Sequence, residues 1–110
     1  MPIHDPRVPP RPLIRRVGHP RGQRRLHQQY AARGRAMRKE ILETLPPDWS
    51  FEGKRVLDFG CGAGRVLLPF LDEAATAEFW GCDIHAPSIA WLERRWSPPF
   101  RVFHTCCDEV

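Results

Sequence analysis

No run of the 110 residues is apolar for long enough to cross a bilayer. The N-terminus lacks the apolar core of a secretory signal, so an exported chain is not expected. Cysteine is sparse. Cys61, Cys82, Cys106 and Cys107 form no CxxC pair, which argues against a zinc module or any other metal site. Cys106 and Cys107 are adjacent and cannot easily bridge each other, so reduced thiols in a cytoplasmic protein are expected. Acid is scarce at the start. Residues 1–40 hold only Asp5 and Glu40 against eleven Lys and Arg side chains, whereas residues 41–110 hold six basic and eleven acidic ones. The formal net charge of +4 therefore belongs to an N-terminal arm on a mildly acidic body, and a general nucleic-acid reading is weak. An Arg-rich, acid-poor start also suits a transit peptide, but Pro2, Pro6, Pro9, Pro10, Pro12 and Pro20 forbid a long amphipathic helix there.

What is present reads as one small domain. Residues 1–25 are expected to be a disordered or loosely docked arm, because proline breaks regular structure and little apolar surface offsets the entropy of ordering. From Leu26 the pattern changes. Leu26, Tyr30, Met37, Ile41 and Leu45 recur at helical spacing, and Pro46-Pro47 ends the helix. Residues 54–59 read as a buried strand, 63–75 as a helix and 78–83 as a second strand. A helix follows over 88–96, and a short strand over 100–104. Alternation at this spacing predicts an α/β fold with a parallel sheet and right-handed crossovers. Three strands and three helices cover such a sheet only thinly, and its open edge is expected to favour self-association.

The informative stretch is "RVLDFGCGAGR", residues 55–65. Glycine recurs at every second position, Gly60, Gly62 and Gly64, where a strand hands over to the next element. Glycine takes backbone angles closed to other residues and lets the main chain approach a ligand. Such a corner, at the carboxyl end of a parallel strand, is where open α/β sheets bind cofactors, with backbone N–H groups exposed to them. The dinucleotide fingerprint requires a third glycine where this chain has Arg65, which disfavours a pyrophosphate. Asp83 lies nineteen residues past Gly64, at the end of the second strand. A carboxylate there can accept hydrogen bonds from both hydroxyls of a ribose and would repel a 2′-phosphate.

At these residues the chain resembles the class I S-adenosylmethionine-dependent methyltransferases. "VLDFGCGAG" is similar to their first motif and "WGCDIH" to their second. The resemblance covers residues 26–108 and implies a Rossmann-like sheet truncated after the third strand, because members usually carry seven strands. The chain would then be a fragment, or the remainder would lie on another chain. The implied cofactor is S-adenosyl-L-methionine. Gly60, Gly62 and Gly64, with Cys61 between them, would line its methionine part, and Asp58 would position that part's ammonium group. Asp83 would hold the ribose and Ile84 would pack on the adenine. Asp108, in "HTCCDEV", is a candidate for the adenine amino group, with Cys106 or Cys107 as alternatives. The implied activity is methyl transfer to a small-molecule or sugar acceptor; no catalytic residue is assigned. His85 and His104 read as surface histidines, and Trp80, Trp91 and Trp96 as core or interface. The basic arm could meet nucleic acid or an acidic lipid surface, but its single aromatic, Tyr30, fits a solvated tail better. Two alternatives stand beside the enzyme: a non-catalytic adenosyl-cofactor or interaction module, and an NAD-binding enzyme of the same scaffold.

Overall fold

The computed structural model describes residues 5–15 and 26–106. A short helix, α1 (Arg11–Arg15), precedes a long one, α2 (Leu26–Thr44). Strand β1 (Arg55–Phe59) follows, then an irregular run containing two 3₁₀ turns (Leu68–Phe70 and Glu73–Ala75). Strand β2 (Glu78–Asp83), helix α3 (Ala86–Trp96) and strand β3 (Arg101–His104) complete the order. The strands form one parallel sheet in the order β1-β2-β3, with Asp58 opposite Gly81 and Asp83 opposite His104. This is a Rossmann-like sheet ending at its third strand, as expected from the alternation of elements.

The sheet is covered on one face. Side chains alternate along a strand, so Val56, Phe79 and Val102 share that face. Phe79 and Phe100 are buried there with Leu67, Leu68, Ile89 and Leu92. On the other face Leu57 is 54% exposed and Phe59 80% exposed, with Phe103 also open. The expectation of a buried first strand is therefore corrected. β1 has a single neighbour among the described residues and is bare on one side. Cys82 shares the bare face but is buried, lying between its register partners Phe59 and Phe103.

One further expectation changes. Residues 63–75 do not form a regular helix. Gly64 has φ of 88°, outside the helical region, and Pro69 has no N–H to offer the Arg65 carbonyl four residues back. The segment still closes locally, with the Leu68 N–H bonded to the Gly64 carbonyl at 2.9 Å. Of the arm expected to be disordered or loosely docked, residues 5–15 are docked, since Val8 and Ile14 are buried against Leu26 and Tyr30 in a second small core. The Asp5 carboxylate accepts from the Arg7 backbone and guanidinium and so folds the chain back. Residues 1–4 and 16–25 lie outside the described residues.

Helix α2 keeps the expected apolar stripe, but only Leu26, Tyr30 and Gly34 are buried, while Ile41 and Leu42 are exposed. Gly34 marks its closest approach to the body. A Cβ there would drive into the Arg65 carbonyl oxygen, with the Pro69 ring 3.3 Å away. Alanine inside a helix normally gains about 1 kcal/mol over glycine. At this position the collision should reverse that sign. Gly34→Ala is expected to lower the midpoint of chemical denaturation; a raised midpoint would show that α2 is not seated so tightly.

Candidate functional site

The candidate site is the corner where β1 ends. Gly60, Gly62 and Gly64 all have positive φ, of 80°, 55° and 88°. Residues with a Cβ rarely adopt these angles, so the glycine spacing encodes a turn that climbs away from the strand and returns over β2. The turn is held by β2 itself. The Gly60 and Cys61 N–H groups both donate to the Cys82 carbonyl at 2.8 Å. The Gly62 N–H donates to one Asp83 carboxylate oxygen at 2.8 Å, and the Gly64 N–H donates to the Cys61 carbonyl at 2.9 Å. The expectation that these amides stand bared to a ligand is therefore corrected: four of them are bonded inside the chain.

Asp83 binds at both oxygens. Its second oxygen accepts from the His85 N–H at 2.8 Å, which fixes the exit from β2 into α3. His85 is the residue before the first turn of α3, and its Nδ1 lies 2.7 Å from the Ser88 hydroxyl, so this histidine is structural. His104 is exposed, as expected, and its Nε2 lies 2.9 Å from the Ile84 carbonyl. Trp91 is buried in the core. Trp80 is partly exposed on the bare sheet face, edge-on to Phe103.

The electrostatics of the corner are negative. Asp58 is half-buried at the end of β1. Burial raises its pKa above the usual aspartate value, and the neighbouring Asp83 charge raises it further. Burial, with Asp58 and Asp83 beside it, pushes the Cys61 thiol up to about 12. Cys61 is therefore a neutral, unreactive thiol at physiological pH. In front of Gly60 the space is open, with nothing within 4 Å of where a Cβ would stand. Ile84 is 56% exposed just beyond Asp83. Thus Asp58, Gly60, Cys61, Gly62, Gly64, Asp83 and Ile84 are brought to one end of the sheet. Asp108 and Cys107 lie outside the described residues, and Cys106 is exposed beyond β3.

One supporting residue was not singled out from the sequence. Gly81 lies in the middle of β2, and a Cβ there would meet the Cys61 sulfur and the Leu67 side chain at 2.9 Å each. Its missing side chain lets the glycine turn settle onto the sheet. The signal was a glycine inside a strand, which often marks a close approach of another segment. No group of metal-ligating side chains occurs among the described residues. Nor is any helix among them long and apolar enough to cross a membrane.

Comparison with known proteins fits this geometry. A protein-family model described as a methyltransferase domain matches residues 26–109. Among solved structures, phosphoethanolamine N-methyltransferase 1 of Haemonchus contortus, in complex with phosphoethanolamine and S-adenosylhomocysteine, is 25% identical with a TM-score of 0.49. The alignment takes in 74% of this chain and 16% of that one. YjhP of E. coli is 21% identical with a TM-score of 0.42, over 94% of this chain and 32% of the other. The chain thus spans less than a third of the length of either structure. No curated protein matches it. The span matched by the family model begins with the first residue of α2 and runs through all three strands, so it classifies the ordered body and not an isolated motif: the chain belongs to the class I S-adenosylmethionine-dependent methyltransferases.

Proposed function

We propose that the chain binds S-adenosyl-L-methionine at the glycine corner and directs transfer of its methyl group to a small-molecule acceptor, in the cytoplasm. The observation that carries this reading is the pair of carboxylates, Asp58 and Asp83, beside a glycine turn whose amides are already bonded. A pyrophosphate needs free N–H donors and positive potential. At this corner four amides are bonded inside the chain and two carboxylates lie beside them, and that negative charge suits a ligand that carries a sulfonium and an ammonium group. NAD is disfavoured on that ground as well as by Arg65 in the place of the third glycine.

When bound, the cofactor supplies a methyl group already activated by its positively charged sulfur. The work left to the protein is to bind, orient and exclude competing groups. Asp58 is assigned to the ammonium group, directly or through water. The open space before Gly60 admits the methionine part, with Gly62 and Gly64 shaping its floor. Asp83, fixed in place by the Gly62 and His85 N–H groups, is assigned to the two ribose hydroxyls. Ile84 offers an apolar surface to the adenine, and Asp108 is assigned to the adenine amino group. Cys61, held neutral, lines the turn without competing for the methyl group.

Calorimetric titration with S-adenosylhomocysteine tests the site. Asp83→Ala removes a charged acceptor and is expected to weaken binding more than tenfold. Unchanged affinity would remove the ribose assignment. Transfer of tritiated methyl to a panel of small acceptors separates an enzyme from a binding module, and no transfer by a chain that binds the cofactor would favour the module.

Asp58 sets a pH dependence. In the unfolded chain it ionises near its ordinary value of 3.8, and in the folded chain at higher pH. Across that window the folded state holds more protons, so this group's contribution to stability falls as pH rises. Affinity for a cation moves the other way, strengthening as Asp58 ionises. Asp58→Asn is therefore expected to be more stable than the parent at neutral pH, to bind S-adenosylmethionine more weakly, and to lose part of the pH dependence of binding. Equal stability and equal affinity in both proteins would contradict this role.

A further inference from the structure

The peptide unit that joins Ile84 to His85 sits beside both residues assigned to the ribose and the adenine, and it is gripped at both ends. Its N–H, on His85, donates to one Asp83 carboxylate oxygen at 2.8 Å. Its carbonyl, on Ile84, lies 2.9 Å from Nε2 of His104. A carbonyl only accepts, so His104 is the donor and its Nε2 carries a proton. The neutral Nε2–H tautomer and the imidazolium both meet that requirement.

The fold places this imidazole. Asp83 and His104 are register partners on β2 and β3. Side chains alternate along a strand, so both rise from the face that carries Phe79 and Val102. The Thr105 N–H donates to the Asp83 carbonyl at 3.0 Å, which carries the pairing of the two strands to the point where β2 turns away. Helix α3 opens one residue later, and the Ser88 and Ile89 N–H groups both run to the His85 carbonyl. The Ile84 carbonyl thus receives no backbone N–H among the described residues, and the donor it meets is a side chain from the neighbouring strand.

Ile84 is 56% exposed, so packing holds it weakly. Rotation of the peptide would turn its carbonyl from His104 and draw the His85 N–H off Asp83. We propose that His104 is a positioning residue for the adenosyl group. Its Nε2–H holds the Ile84–His85 peptide against rotation, so that the same peptide's N–H keeps the Asp83 carboxylate aimed at the ribose and Ile84 stays in line with the adenine. This role rests on the cofactor reading above, whereas the grip on the peptide does not.

Three variants of the full chain separate the donor from its bulk. His104→Phe keeps a ring without a donor, His104→Gln keeps a donor without a ring, and His104→Ala keeps neither. Calorimetry with S-adenosylhomocysteine and with adenosine is expected to show both ligands weakened about fivefold in His104→Phe and His104→Ala, as for the loss of one neutral hydrogen bond. The factor should be the same for the two ligands, because the effect lies in the part they share. His104→Gln should recover most of the loss. Hydrogen exchange of the His85 amide, followed by NMR without ligand, should be faster in His104→Phe than in the parent, and the core amide of Leu92 should not change. Unchanged affinity in His104→Phe, or a His104→Gln variant as weak as His104→Phe, would overturn the positioning role. Parent-like exchange at His85 in His104→Phe, or equally faster exchange at Leu92, would overturn the grip itself. A parent that binds neither adenosyl compound, while the His85 amide responds as expected, would overturn the cofactor reading and the positioning role with it and leave the grip standing.

Discussion

The carboxylate of Asp83 ties the functional end of this fold together. One oxygen accepts from the Gly62 N–H and the other from the His85 N–H. Those two bonds join the turn after β1 to the turn after β2, across neighbouring strands. They therefore set the distance between the glycine corner and the start of α3. The Cys82 carbonyl completes the clamp by accepting from Gly60 and Cys61. Because Gly81 has no side chain, the corner can lie close enough for all of these bonds to form. The end of β2 is thus both the support of the corner and a wall of its hollow. Bonds of this kind to a charged acceptor contribute roughly 1.5–3 kcal/mol each, enough to hold a turn that glycine alone would leave loose.

Charge is divided across this turn. On the sheet side, Asp58 and Asp83 make a negative hollow that is costly enough to push protonation of Asp58 upward. On the arm side, Arg7, Arg35, Arg38 and Arg65 border a space of about 170 Å³. Residues 5–8 supply one wall of that space, and the Arg7–Asp5 pair holds this segment folded back.

Much of this was legible in the sequence because periodicity and glycine spacing are local signals. The three strands, the end of α2 and the start of α3 at Ala86-Pro87 follow from alternation and from proline. The glycine corner and Asp83 were legible for the same reason. What the sequence hid depends on contacts between distant segments. Gly34 reads as a weak point in a helix until Arg65 is found against it. Val8 and Ile14 look like isolated apolar residues among prolines until Leu26 and Tyr30 bury them. Leu57 and Phe59 look like core, but their neighbours along the chain cannot say which face of the sheet is covered. The amides of the corner read as free because glycine spacing gives their angles and not their partners, which come from β2.

Paired carboxylates at the corner should select a cationic adenosyl compound over an anionic one. Side-by-side calorimetry of the unmodified chain is therefore expected to show saturable binding of S-adenosylmethionine and none of NAD at the same concentrations. Binding of NAD as tight as that of S-adenosylmethionine, or tighter, would contradict it.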